Sequence, residues 1–157
     1  MIRFTRTVSL ILLGIIMHTT DTSAQDTARF FTDADGVALR GYDVVNYFTA
    51  NEARRGSKAH AVPYKGATFY FVNEANKQAF EADPEQYLPQ YGGWCAFAMA
   101  TQGAEVPSDP ETFKLRDGKL YLFFNDYYQG APFNTIVPWN ADEAELVRKA
   151  NANWARN

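Results

Sequence analysis

Apolar residues along the chain fall into short runs with two different spacings. Between Ala59 and Val72, "HAVPY" and "ATFYFV" are rich in aromatic and β-branched residues and flank Lys65-Gly66, which predicts a β-hairpin. Pro63 has no amide hydrogen for a ladder, so the first strand is expected at an edge or beside a bulge. A second hairpin is expected around Asp117-Gly118, with "TFKLR" and "KLYLFF" as its arms. Helical spacing fills the gaps. Asp43 is placed to cap a short turn carrying Val44, Val45, Tyr47 and Phe48, because its carboxylate can accept from early backbone N–H groups. Asn73 is placed to cap a helix running to Ala82 with Ala75, Ala79 and Phe80 on one face, and Asp83-Pro84 restarts a turn that Pro89 ends. Gly92-Gly93 lets the backbone bend sharply before "WCAFAMA", a short helix to Gly103. The last element is a helix capped by Asn140 with Glu143 three residues on, its inner stripe being Val147, Ala150 and Trp154. The sum predicts an α+β fold, a small antiparallel sheet from two hairpins covered by short helices.

The first residues follow a different grammar. Arg3 and Arg6 precede an apolar run from Val8 to Met17, and polar residues lead to Thr22-Ser23-Ala24, the three-part pattern of a cleaved secretory signal over residues 1–24. The run is well short of the roughly 20 residues a membrane-spanning helix needs, so a periplasmic protein without a stable membrane anchor is expected. Residues 25–40 read as a loosely ordered arm that tucks Phe30 and Phe31 against the body, and 41–157 as a single domain.

Composition changes this picture little. The chain of 157 residues is 46% hydrophobic and 15% aromatic, which suits a packed core rather than a disordered chain. Its formal charge is −3, and basic residues are scattered singly apart from Arg54-Arg55, so neither a nucleic-acid stripe nor an anionic-membrane surface is built.

Candidate chemistry centres on one thiol. Cys95 is the sole cysteine, so no internal disulfide forms and the fold must stand on its core. With Met99 and His60 it completes a set of one thiol, one thioether and one imidazole beyond the signal segment. Cys95 and Met99 are four apart, one turn along a helical face. Convergence with His60 would suit copper(I) better than zinc. The bland alternative is that Cys95, Phe97 and Met99 are core, since free cysteine packs as a small hydrophobe. A cysteine nucleophile would need His60 as its base, and "GGWCAF" matches no local cysteine-protease signature. Phosphate loops, nucleophile elbows and His-Glu-x-x-His pairs are absent from the sequence. No enzyme is expected, and no catalytic residue is assigned. Asp83, Glu85 and Glu81 read as a helix start with a solvated face. Tyr42, Tyr64, Tyr70, Tyr87 and Tyr91 read as core rings or as the walls of a pocket.

The stretches "GYDVVNYF", "YKGATFYFVNEANKQAFEADPEQYLPQYGGWCAFAMA" and "DGKLYLFFN", with a late Ala-Asn-Trp, together resemble the stand-alone exported members of the YHS domain family. The resemblance covers Gly41 to Trp154. It implies a metal-binding module related to treble-clef zinc folds, of the kind found in copper-transporting ATPases. The family pattern sets one Cys after the Tyr-Phe of the second strand and another four residues later. Those positions here carry Val72 and Asn76. His60 stands near the family's histidine, and Cys95 belongs to the "YGGWCA" element of the exported group. The reading that follows is a soft-metal, copper-type binding or trafficking module with Cys95, His60 and Met99 as ligands and a metal-handling protein as partner. The rival is an interaction module whose Cys95 is structural and whose aromatic surface binds a partner or a small apolar ligand.

Overall fold

A computed structural model of the protein describes residues 29–156. The expected signal segment, residues 1–24, lies outside the described residues. The fold is α+β. Strands β1 (Ser57–Tyr64) and β2 (Ala67–Phe71) form the first hairpin, and β3 (Asp109–Arg116) and β4 (Lys119–Phe123) the second. Both turn where expected, at Lys65-Gly66 and Asp117-Gly118. In each hairpin the register shifts near the outer end of the first strand, between Ser57 and Ala61 and between Asp109 and Phe113. Pro63 sits opposite Thr68, tolerated in a strand that pairs only with β2. A third hairpin, β5 (Asn125–Tyr128) with β6 (Ala131–Asn134), follows at once. Among the described residues the hairpins remain three separate two-stranded antiparallel sheets rather than one.

Helices α1 (Val44–Ala50), α2 (Glu74–Ala82) and α3 (Pro84–Tyr87) precede the glycine pair, and α4 (Ala96–Gln102) follows it. The two expected caps form: Asp43 accepts from Val45 N and Asn46 N, and Asn73 accepts from Asn76 N. At the end of the chain the elements differ from expectation. Asn140 lies inside α5 (Ile136–Ala141), where its side chain accepts from Lys114 Nζ, and α6 (Glu143–Trp154) starts after Asp142. Leu146 and Ala150 are its buried residues, with Val147 and Trp154 packing at the margin.

The core has two lobes, and β4 divides them. Leu120 and Leu122 face a cluster with Phe69, Phe71, Phe80, Val44, Val45 and Tyr47. Tyr121 and Phe123, the alternate positions, face a second cluster with Met99, Ala100, Trp139, Leu146 and Ala150. Side chains alternate across a strand, so β4 is buried on both faces and binds the lobes together. Of residues 25–40, expected as a loose arm, the described part, residues 29–40, is packed along the first lobe: Phe31, Val37, Ala38 and Leu39 are buried, and Val37 bridges to Thr68.

Candidate functional site

Cys95 owes its position to the bend before it. Tyr91, Gly92 and Gly93 all have positive φ, at 55°, 61° and 90°. A Cβ at Gly92 would stand 2.1 Å from the Arg29 carbonyl oxygen, and one at Gly93 2.3 Å from Leu39 Cδ2. Glycine is therefore required at Gly92 by close approach to backbone as well as by conformation, and is favoured at Gly93 by its positive φ, the nearest atom there belonging to the Leu39 side chain. The bent segment lies alongside β4, bridging at Pro89–Leu120 and Cys95–Leu122. Tyr91 anchors it from the other side. Its hydroxyl donates to Asn151 Oδ1 at 2.9 Å, and burial pushes the phenol well above its ordinary value.

Cys95 is the residue preceding α4 rather than a member of it, and its carbonyl accepts the first helical bond from Met99 N at 3.0 Å. Its sulfur is 0% exposed yet forms part of the wall of a cavity. The hydrogen bonding around that sulfur is specific. Phe124 N–H points at Sγ from 3.3 Å, and Thr135 Oγ1 lies 3.4 Å away. Thr135 already gives its own proton to the Phe124 carbonyl at 2.9 Å. The remaining polarity has the Cys95 S–H donating to Thr135 Oγ1 while Sγ accepts from Phe124 N–H. That pattern uses both the S–H and a sulfur lone pair, and it fastens the start of α4 to Phe124 and Thr135, which flank the β5–β6 hairpin. Thiol reagents are expected to modify Cys95 at least about 100-fold more slowly in the native protein than in denaturant, as measured by chromophore release. Equal rates would contradict this sealed arrangement.

The cavity has a volume of about 130 Å3. Phe97 and Ala98 from α4, Val106, Phe124, Tyr128 and Phe133 supply most of its wall, with Gln102, Thr135 and the thiol as polar points. The β5–β6 hairpin closes one side and exposes apolar area beyond it, Tyr127 being 71% exposed and Tyr128 55%. The hydrophobic pattern predicts no element between Asn125 and Trp139. The local signal was the Gln129-Gly130 turn between Tyr-Tyr and Pro-Phe, both of its residues having positive φ.

Neither His60 nor Met99 lines this cavity. His60 sits on β1 beside α2, its Nδ1 3.4 Å from Glu74 Oε2 but not aligned as a hydrogen bond. The Glu74 carboxyl is held below its usual value chiefly by the hydrogen bond from Gln78, with Lys77 and His60 nearby. Met99 is fully buried in the second lobe. The Cys95 cavity thus offers one soft donor, fewer than a copper site gathers, and that donor is already hydrogen-bonded. Among the described residues no group of three or more His, Cys, Asp and Glu side chains is arranged to hold a metal ion.

The other locus implied by resemblance is the pair Val72 and Asn76, just after β2 and on α2. It is occupied by a carboxylate. Asp43, 0% exposed, receives Val72 N–H and Asn76 Nδ2 on Oδ2, both at 2.8 Å. Its Oδ1 takes Val45 N–H at 2.8 Å and Asn46 N–H at 3.2 Å. A metal held at this pair has no thiolate to bind and meets a carboxylate whose oxygens already have partners, so the residues present do not fit it.

No curated protein and no solved structure matches the chain. One family model does, that of the YHS domain, a family associated in general with metal handling. The matched segment runs from Arg55 to Tyr91, taking in the β1–β2 hairpin, α2 and α3, and including His60 while stopping short of Cys95 and Met99. The first hairpin with its two following helices is thus the part of this chain that is similar to the YHS domain, over residues 55–91.

Proposed function

We propose that the protein is a non-enzymatic binding module, acting in the periplasm after removal of residues 1–24, whose Cys95 cavity receives a small apolar molecule about the size of one aromatic ring. The observation carrying this reading is the cavity itself: about 130 Å3, walled by four aromatic rings, Ala98 and Val106, with Gln102, Thr135 and the thiol as its few polar points. Apolar cavities of roughly 150 Å3 admit a benzene-sized guest, and sites of this kind fix orientation with a few convergent polar groups. Cys95 is structural here, holding α4 against Phe124 and Thr135.

Titration with phenol and indole, followed by amide shifts of Phe97, Phe124 and Thr135, tests the reading. Ala98→Leu places extra methyl groups in the cavity and is expected to weaken binding at least about 10-fold. Equal binding by both proteins would remove the cavity from consideration. The metal-handling association of the family is the ground for a rival copper reading, with Cys95 as principal ligand and a metal-handling protein as partner, in which Met99 and His60, both away from the Cys95 cavity, would have to move to become further ligands. Anaerobic copper(I) titration of wild type and Cys95→Ser decides between the two. Tight one-to-one uptake abolished by the substitution would replace the small-ligand reading with the copper one.

A further inference from the structure

We infer that in this chain a buried carboxylate, Asp43, takes over the organising position that a metal would hold in the YHS segment, so that the domain folds without metal. This inference is independent of the ligand reading above and concerns the opposite lobe. Asp43 lies ahead of the matched residues 55–91 and reaches into them. Its two oxygens together tie three elements: the first turn of α1 through Val45 and Asn46, the end of β2 through Val72, and α2 through Asn76. Its backbone is fixed as well, Asp43 N donating to Arg54 O at 2.9 Å. A buried anion is tolerated only when its lone pairs are satisfied, and N–H bonds to a charged acceptor are the stronger kind. Here each oxygen has two such donors.

The partners are specific to this arrangement. Asn76 contributes a side-chain amide at one position of the implied pair, where a thiol would give a poor donor. Val72 contributes only its backbone at the other, leaving its side chain free of any polar role. A metal bridges elements by accepting lone pairs from ligands, whereas Asp43 bridges the same elements by accepting hydrogens from them. The two solutions exclude each other at one locus.

The test combines chelation with substitution. Purified protein dialysed against EDTA and a copper(I) chelator is expected to keep its Tm within about 1 °C and to carry no stoichiometric metal by elemental analysis. Asp43→Asn turns one acceptor oxygen into a donor facing donors and is expected to lower Tm by about 5–10 °C. Asn76→Ala should lower it less, and the double variant should lose less than the sum, because the pair is coupled. If Asp43→Asn fails to fold, the chelation arm and Asn76→Ala still decide. A Tm that falls on chelation and returns with added metal overturns the inference, as does Asn76→Ala leaving Tm unchanged.

Discussion

Gly92→Ala is expected to cost about 4 kcal/mol or more, read as a lower urea midpoint at unchanged slope. Two effects add. The residue has φ +61°, a region that costs an ordinary L-residue roughly 1–2 kcal/mol. The new Cβ would also stand 2.1 Å from Arg29 O and 3.2 Å from Phe30 Cα, and these are backbone atoms that no rotamer change can move aside. Residues 29–31 must shift, and two hydrogen bonds go with them: Phe31 N to Gly92 O at 2.9 Å and Trp94 Nε1 to Arg29 O at 3.1 Å. Leaving such groups unpaired costs about 1–3 kcal/mol each. Gly118→Ala is the control, since Gly118 has φ +69° but nothing within 4 Å of an added Cβ. It should show the conformational cost alone, about 1–2 kcal/mol. Similar losses in the two variants would mean that residues 29–31 are not closely held against the bend.

Much of this architecture is legible in the sequence where the signal is local. Lys65-Gly66 and Asp117-Gly118 mark turns because each supplies the positive φ a tight hairpin needs, and Asp43 and Asn73 mark helix starts because their side chains find N–H groups two or three residues on. The YHS resemblance rests on the same stretches, and the family match at residues 55–91 agrees with it. The misses have physical causes. Pro138 falls within α5 and hides it, and the early end of that helix leaves Asp142 rather than Asn140 ahead of α6. The third hairpin carries exposed residues on both faces, so its pattern has no apolar period to detect. Long-range placement is invisible altogether. A four-residue spacing does put Cys95 next to Met99 along the chain, but Cys95 precedes the helix, and its thiol turns to Phe124 and Thr135 while Met99 enters the second lobe. Likewise Asp43 reads as a cap and nothing more, because its contacts with Val72 and Asn76 span 29 and 33 residues.

Trp139→Ala is expected to destabilise the protein by about 3–5 kcal/mol, a fall in Tm of about 10 °C or more. Trp139 is among the largest fully buried side chains, with its ring centroid 5.3 Å from that of Phe123 and 5.7 Å from that of Tyr121. Removing it takes the support from one face of β4, and the other face carries Leu120 and Leu122 in the first lobe. A single calorimetric transition is therefore expected to survive at lower temperature. Two resolved transitions would show that β4 does not couple the lobes. Trp139→Phe separates packing from polarity. It keeps an aromatic ring but loses the bond from Nε1 to Glu143 Oε1 at 3.0 Å. Burial raises the Glu143 carboxyl, yet the hydrogen bonds from Lys114 and Trp139 and the charges of Lys114 and Arg116 outweigh it, and the group sits below its usual 4.5. A carboxyl depressed in the folded state adds stability that is present above the unfolded value and is lost as pH falls through the folded one. Trp139→Phe removes one depressing contact, so the variant should lose less of its stability than wild type between pH 5 and the folded-state value. Parallel acid-unfolding curves for the two proteins would show that the indole N–H does not act on Glu143.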